Sequence, residues 1–364
     1  MIKRACALFL ALLTLAACAP SNDSTNETRL ITDVWGREVQ VPTVVDSIVT
    51  LGPGATRLAV YLGVSDQIVG AEAQTADFNI LMDFSPIVHD AFQSLPIVGQ
   101  GGGSGENNAY VESLIHLAPD VILAAFTPEA ADDLQAQTGI PVVAVRYIST
   151  GLANETFFTA MRVFATTVQA EDRAEEVLAK IESLRNDLSQ RTINIPDDAR
   201  PSVYAGAITF SGQRGFGGTY SNFGPLAAIH ANNMADTALE PGFYEVDFEQ
   251  IITWDPDVIF LDPGNMHLVN AEFSRNPAFF QSLRAVQQGR VYAMPAFNFS
   301  ATNVTYALMN AYFAGTILFP EQFADINIAE KSAEILTFFL GQNTFDLMAE
   351  HGLVFRALTI GSPA

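Results

Sequence analysis

Short apolar runs alternate with amphipathic segments along most of the chain after residue 46. Runs rich in valine and isoleucine are typical of buried strands, whereas apolar residues spaced by three or four are typical of helices. In the first half the pattern predicts strands over 47–51, 67–69, 121–124 and 142–145 and helices over 55–62, 109–117 and 129–138. In the second half it predicts a strand over 203–205 and helices over 303–318, 329–340 and 344–350. The alternation predicts an α/β protein with parallel strands covered by helices.

One segment occurs twice. Residues 111–123 read VESLIHLAPDVIL and residues 248–260 read FEQIITWDPDVIF, which match at six of thirteen positions with a constant offset of 137. In each copy a glutamate opens an amphipathic turn, Pro-Asp ends the helix, and an apolar run follows as a strand. One such helix-to-strand unit in each half predicts two Rossmann-like α/β lobes of similar build.

Between the two copies, residues 154–192 have the pattern of one long helix. Apolar residues recur there at spacings of three or four, Asn154 can cap the start, and Pro196 stops the chain beyond the end. At 1.5 Å per residue the helix would be about 58 Å long. We therefore expect a single rigid inter-lobe helix within 152–195, an N-terminal lobe over 29–151, a C-terminal lobe over 196–364, and a ligand cleft between the lobes that closes only modestly.

The first 28 residues have the pattern of an export signal followed by a tether. Two basic residues precede an apolar run over 5–15, which is shorter than the roughly 20 residues that a membrane span needs. The segment LAAC over 15–18 resembles a bacterial lipobox, so we expect residues 1–18 to form a lipoprotein signal with its lipobox. Cys18 would carry lipid and become the first residue after cleavage. A plain secretory signal is the alternative. Residues 19–28 are small and polar, which favours a flexible tether to the periplasmic or outer face of a bacterial membrane.

Charge and cysteine content exclude several functions. Forty acidic residues against 18 basic ones give a net charge of −22, and a field of this sign repels nucleic acid. The same charge also fits a plain role in solubility and identifies no substrate. The two cysteines, Cys6 and Cys18, lie within the signal and at its end, so the folded body has no thiol for a disulfide, a nucleophile or a metal.

The sequence contains no recognised catalytic motif. A Gly-x-Ser-x-Gly elbow, a His-Glu-x-x-His pair and a paired metal-ligand motif are all absent, which argues against an enzyme. The five histidines form no metal-ligating motif, so we expect neither a bound metal nor an intrinsic cofactor.

Several segments resemble one protein family. They are residues 31–42 and 46–72, the two PDVI strands, and residues 220–236, 289–304 and 330–341. These segments resemble the class III periplasmic binding proteins, the ferric-siderophore, haem and cobalamin receptors of ABC importers, and their iron-complex branch in particular. The resemblance implies a monomer that holds a metal chelate between two lobes joined by a rigid helix and delivers it to an ABC permease and its ATPase. A receptor for a free or small-chelate divalent metal ion and a ligand sensor remain alternatives.

In the N-terminal lobe, two glycine-rich loops that precede helices are candidates for ligand contact. Residues 52–57 read GPGATR, whose backbone N–H groups and Arg57 guanidinium could meet a carboxylate. Residues 99–105 read GQGGGSG, in which Gly102 and Ser104 could offer donors to an anion or let a flat ligand approach. The alternatives are a tight turn with Arg57 as a structural pairing residue, and a flexible connector.

In the C-terminal lobe, three segments carry candidate ligand contacts. Residues 210–220 read FSGQRGFGGTY, and Arg214 and Tyr220 are the residues we favour there because loops rarely expose aromatics without using them. Met266 and His267 follow the second repeat strand and could reach a metal or chelate, although a lone histidine is more often an ordinary surface residue. Asn298 could hydrogen-bond a ligand while a neighbouring phenylalanine stacks, although plain core packing fits as well.

The repeat also predicts a docking surface for the permease. Glu112 and Glu249 occupy the same position of the repeated helix, one in each lobe. In the family that the sequence resembles, one glutamate on each lobe tip docks onto arginines of a two-fold permease. The alternative is that both carboxylates offset the positive end of a helix dipole.

Overall fold

The first part of the chain forms an N-terminal lobe, in a computed structural model that describes residues 27–102, 108–147 and 151–362. Its strands are β1 (Thr28–Thr32), β2 (Glu38–Pro42), β3 (Ile48–Leu51), β4 (Ile68–Glu72), β5 (Ile97–Gly99), β6 (Val121–Ala124) and β7 (Val142–Ala144). Its helices are α1 (Ala55–Leu62), α2 (Ala73–Ala76), α3 (Ser85–Phe92), α4 (Val111–Leu117) and α5 (Pro128–Thr138).

The sheet of this lobe contains five parallel strands in the order β5-β4-β3-β6-β7. Strands β3, β6 and β7 are buried at every position, which explains their continuous apolar sequence. The winding direction reverses between β3 and β6, and ligands of open α/β sheets bind outside the carboxyl ends of the strands at such a point. Strands β1 and β2 form a separate antiparallel hairpin, which the apolar pattern did not predict.

Two helices, rather than one, connect the lobes. Helix α6 (Glu155–Val168) ends at Gln169, whose φ of 61° is left-handed, and α7 (Glu171–Thr192) begins two residues later. The prediction of one continuous helix over 154–192 is therefore wrong. Apolar spacing is the same for one helix as for two in succession, so the pattern does not reveal a single left-handed residue between them. Helix α7 alone spans about 33 Å at 1.5 Å for each of its 22 residues.

The C-terminal lobe repeats the α/β build. Its strands are β8 (Ser202–Gly206), β9 (Gly218–Ser221), β10 (Asn232–Asn233), β11 (Gly242–Glu245), β12 (Val258–Leu261) and β13 (Val291–Ala293). Its helices are α8 (Gly224–Ala227), α9 (Phe248–Trp254), α10 (Met266–Arg275), α11 (Pro277–Ser282), α12 (Arg284–Gln287), α13 (Val304–Leu318), α14 (Ile328–Leu340) and α15 (Phe345–Glu350). Four parallel strands have the order β10-β8-β12-β13, and β9 pairs with β11 antiparallel.

The sequence repeat has the same three-dimensional structure in both lobes. Helices α4 and α9 both end in a left-handed residue at equivalent positions, Ala118 and Asp255. The repeat aspartate then accepts hydrogen bonds from the backbone N–H and hydroxyl of a serine at 2.8–2.9 Å in each lobe. Asp120 pairs with Ser47, the residue before β3, and Asp257 pairs with Ser202, the first residue of β8. The Pro-Asp motif thus joins the starts of two adjacent strands. Two α/β lobes of related build are confirmed.

Helices from both halves pack into one continuous core between the lobes. Helix α7 contacts α1 and α13, and α14 contacts α1 directly. Arg173 on α7 ties these elements together, because its guanidinium donates to the carbonyls of Tyr61 on α1 and Phe338 on α14. Lys180 of α7 pairs with Glu334 of α14 at 2.6 Å. The lobes are therefore held by packed helices as well as by the connection itself.

Candidate functional site

The carboxyl ends of the strands bring together the loops that form the candidate site. In the C-terminal lobe the winding direction reverses between β8 and β12, as it does between β3 and β6. The loops after β8 and β12 are linked there, because the Thr209 hydroxyl donates to Asp262 at 2.5 Å and the Asn265 amide donates to the Ala207 carbonyl at 2.8 Å. Each lobe thus presents one loop-built face at the position where open α/β sheets bind ligands.

Arg57 does not lie free in this site. Its side chain is fully buried and its Nε donates to Asp83 Oδ1 at 2.7 Å. The remaining guanidinium donors are taken by four protein acceptors, namely the Tyr147 hydroxyl, the Ser300 and Phe299 carbonyls and Asn303 Oδ1. No donor is left for a ligand in this structure, so the interpretation of Arg57 as a ligand contact is corrected to that of a structural pairing residue. It joins α1 to the segment that precedes α13.

The glycine-rich turn before α1 serves the same structural purpose. Gly54 has a φ of 85°, which favours glycine, and a Cβ added there would lie 2.5 Å from the Tyr147 hydroxyl. The Gly52 N–H donates to the Glu72 carboxylate at 2.9 Å. These contacts show why the turn needs glycine.

Glu72 is a buried acid at the carboxyl end of β4, and the sequence analysis missed it. It is 4% exposed, and burial raises the pKa of its carboxyl to about 7 although the Gly52 N–H opposes the rise.

Gly102 follows in the next loop with a φ of 76°, close to the side chain of Gln74. Gly102 therefore lies at the predicted edge of the lobe, whereas Ser104 falls outside the described residues.

We expect Glu72 to make stability pH-dependent. Its folded-state pKa of about 7 exceeds the ordinary 4.5, so the folded protein holds more protons between these values and stability falls as the pH rises through that window. The full effect is on the order of 3 kcal/mol. Glu72→Gln keeps an acceptor for Gly52 but removes the titration, so its melting temperature should rise relative to the native protein between pH 5 and pH 8. Parallel melting curves for both proteins would contradict this role.

Arg146 is a second residue that the sequence analysis missed. It lies two residues beyond the carboxyl end of β7, half-buried, and it makes no hydrogen bond or ion pair with the described part of the chain. An arginine with five unpaired donors in that position can bind a carboxylate or another oxyanion. The sequence feature that could have indicated Arg146 is its position directly after the strand predicted over 142–145.

The C-terminal lobe contributes an aromatic surface to the site. Phe210 follows β8 and stacks on Phe243 of β11, with ring centroids 4.8 Å apart and planes at 11°. The ring of Tyr220 on β9 lies 5.9 Å from that of Phe210, and Phe223 continues the row at 6.3 Å from Tyr220. Phe210 and Phe243 are only half-buried. This aromatic surface, Phe210, Tyr220, Phe223 and Phe243, is thus accessible at its outer end.

Arg214 lies against the aromatic surface. Its guanidinium carbon is 5.1 Å from the centre of the Phe243 ring, and its Nε donates to the Phe210 carbonyl at 3.0 Å. Glu245 lies 3.6 Å from Nη1, which is an ion pair longer than a hydrogen bond. Nη2 has no acceptor among the described residues. Arg214 and Tyr220, both predicted from one segment, therefore lie on the same aromatic surface, Arg214 against Phe243 and Tyr220 against Phe210.

Asn298 lies next to the aromatic surface, because the preceding residue, Phe297, contacts Phe223 of that surface. The Phe297 ring is 5.3 Å from that of Phe223, and the Asn298 side chain accepts a hydrogen bond from the Thr302 hydroxyl at 3.0 Å. Asn298 and Asp262 also line one small cavity. Burial raises the pKa of Asp262 to about 6. The half-buried amide thus forms the end of the aromatic surface.

Met266 and His267 are not brought together at the site. Met266 is 4% exposed and packs in the core of the C-terminal lobe, where it lines a depression with the C-terminal segment. His267 is exposed on the first turn of α10. Consecutive helical residues point about 100° apart, so His267 points away from the core that contains Met266. The interpretation of Met266 as a ligand contact is therefore corrected to that of a core residue.

The predicted docking residues Glu112 and Glu249 are both exposed in the first turn of their helices. Cys18, the predicted lipid attachment site, lies outside the described residues.

Within the described residues, no cluster of three His, Cys, Asp or Glu side chains could hold a metal ion. No helix in the same ranges is both long and apolar enough to cross a membrane.

Comparison with known proteins relates the fold and the sequence to one group. Residues 48–296 match the family described as periplasmic binding protein. The chain is 23% identical over 329 residues to the molybdate-binding protein MolA of Haemophilus influenzae, covering 82% of this chain and 87% of that protein. It is 24% identical over 316 residues to the uncharacterized ABC transporter substrate-binding lipoprotein YvrC of Bacillus subtilis, covering 80% and 90%.

Solved structures share the fold. A periplasmic solute binding protein from Veillonella parvula superposes with a TM-score of 0.69 at 19% identity, covering 90% of this chain and 97% of that chain. MolA with bound molybdate superposes with a TM-score of 0.64 at 19% identity, covering 86% and 98%. The fold class expected from the sequence is confirmed by these similarities.

Proposed function

Because this chain belongs to the periplasmic binding proteins and is a substrate-binding component of an ABC transporter, we propose that its cleft captures a metal chelate with an anionic edge. Ferric siderophores and other iron complexes, haem and cobalamin are the chelates to test first. The mature protein would be a monomer tethered by lipid on Cys18, and no catalysis is involved. Delivery to the permease would follow docking through Glu112 and Glu249.

The observation that carries this proposal is the guanidinium of Arg214 beside the aromatic surface. A chelate of an organic ligand has flat apolar faces and, in siderophores and haem, negatively charged oxygens. Aromatic rings bind the faces by stacking, while Arg214 in one lobe and Arg146 in the other offer donors to the oxygens. The combination of stacking and charge pairing supports a chelate over a bare cation, since a guanidinium repels a cation.

A bare oxyanion is the second candidate. The half-buried Arg146, with no partner among the described residues, could bind a small anion without any aromatic contact. The related MolA is a molybdate-binding protein, which motivates the same test here. An oxyanion would need Arg146 and backbone donors but not the Phe210 and Phe243 rings.

Calorimetry on residues 29–364 tests both candidates. The panel consists of ferric siderophores, haem, cobalamin, nickel–histidine, molybdate, tungstate, sulfate and free divalent ions. We expect tight binding of a chelate at one ligand per chain. Tight binding of molybdate alone would favour the oxyanion, and tight binding of free divalent ions alone would overturn both.

Substitution of Arg214 then tests the site with the ligand so identified. Arg214→Ala is expected to weaken binding about 10- to 100-fold, because a hydrogen bond to a charged group contributes about 1.5–3 kcal/mol. Tyr220→Phe removes only the hydroxyl and keeps the buried ring in place. Arg275→Ala is the matched control, since Arg275 is an exposed arginine of the same lobe that also donates through Nε to the carbonyl four residues earlier. Equal affinities for the native protein and Arg214→Ala would move the site elsewhere.

A further inference from the structure

Each lobe exposes one isoleucine next to its predicted docking glutamate. Ile115 on α4 is 51% exposed and Ile252 on α9 is 47% exposed. Large aliphatic side chains on a surface are ordinary when they occur singly. These two occupy equivalent positions of the repeat, at the same offset of 137 that separates Glu112 from Glu249. Their exposure is therefore a property of both copies rather than of one local irregularity.

The glutamate and the isoleucine of each copy share one face of the helix. Residues three apart on a helix are surface neighbours, so Ile115 lies beside Glu112 and Ile252 beside Glu249. The residue before each isoleucine, Leu114 or Ile251, is fully buried and anchors the opposite face in the lobe core. The helix is thus fixed in rotation, and each pair presents a carboxylate and an adjacent aliphatic group to solvent.

We propose that these Glu-Ile pairs form two equivalent contacts with the ABC permease, each accepted by an apolar pocket with a basic side chain at its rim. The proposal rests on the docking function proposed above and adds its apolar component. Burial of the isoleucine supplies affinity, whereas the glutamate mainly provides orientation and a faster encounter. A partner with two copies of one surface matches this arrangement because the protein itself presents the pair twice. A second copy of this chain and a lipid surface are the other occupants, and the test separates them.

Association with the transporter measures the effect directly. The full-length lipoprotein, as isolated, is titrated onto its permease–ATPase complex in nanodiscs, with empty nanodiscs as the lipid reference. Ile115→Ser/Ile252→Ser is expected to weaken association at least about 10-fold, or 1.4 kcal/mol. The single variants should each account for a comparable part of that loss. Ile193→Ser is the matched control, because Ile193 is 47% exposed at the end of α7 and lies outside the repeat; its association should be unchanged.

The outcomes separate the apolar contact from docking as such. Weak association of Glu112→Arg/Glu249→Arg together with normal association of the isoleucine double variant would overturn the apolar contact and leave the docking surface in place. Normal association of both double variants would overturn both proposals. Loss of self-association in sedimentation, or of binding to empty nanodiscs, without an effect on the transporter would assign the isoleucines to another occupant and also overturn the proposal. Melting temperatures of all variants should stay close to that of the native protein, since the side chains are half-exposed.

Discussion

Arg57→Met is expected to destabilise the protein by about 3–5 kcal/mol, because it leaves the carboxylate of Asp83 buried without its partner. The exposed fraction of both side chains is 0%, and the ion pair measures 2.7 Å. Burial by itself lowers the pKa of Arg57, but the charge of Asp83 raises it above its usual range, so the guanidinium stays charged. The substitution also removes the donor to Asn303 and to two carbonyls before α13. Thermal and denaturant unfolding measure the loss.

A surface ion pair of similar length provides the control. Arg162 lies 2.8 Å from Glu175, but the two side chains are 52% and 60% exposed. Arg162→Met should therefore cost at most about 1 kcal/mol, because water and salt screen exposed pairs. Similar losses for Arg57→Met and Arg162→Met would show that the buried pair contributes no more to stability than an exposed one. Unchanged ligand affinity in a folded Arg57→Met protein would agree with its structural role.

Reversing both docking charges is expected to abolish transport. Glu112→Arg/Glu249→Arg should reduce uptake in cells to the level of a strain without the protein, because like charges would then oppose the basic rim of the permease. Ligand affinity should be retained, since both side chains are exposed on helices α4 and α9 and neither belongs to the aromatic surface. Stability should change by no more than about 1 kcal/mol per helix, the size of a helix-dipole interaction.

A second double reversal distinguishes docking from net charge. Glu129 and Glu330 are also exposed acidic residues in the first turns of their helices, one in each half of the chain, but they do not belong to the repeat. Glu129→Arg/Glu330→Arg changes the net charge by the same amount and should leave uptake normal. Normal uptake by the Glu112 and Glu249 variant at normal protein levels would show that the repeat carboxylates offset only the helix dipoles.

Local pattern predicted most of the secondary structure. Helix α1 and strand β6 have the predicted bounds, and α13 and α14 begin within one residue of them. Apolar periodicity reports which side of an element is buried, and caps or prolines report where it ends, so both can be seen along the chain. The β1–β2 hairpin was missed although β2 alternates polar and apolar residues. The β9–β11 pair was missed because each strand has only four residues and begins with glycine.

The sequence by itself determined two α/β lobes from the repeat, one in each half of the chain, with loops at the strand ends as the place for a ligand. It also brought Arg214 and Tyr220 into consideration, and the structure places them on one surface. Only the tertiary structure showed that the donors of Arg57, the predicted contact, are taken and that those of Arg146, which was not predicted, are not. Three of the five acceptors of Arg57 lie more than 240 residues away in the chain, so local sequence carries no sign that its donors are taken. Arg146 differs because no hydrogen bond or ion pair joins its side chain to the described residues, and periodicity does not record such a property of packing.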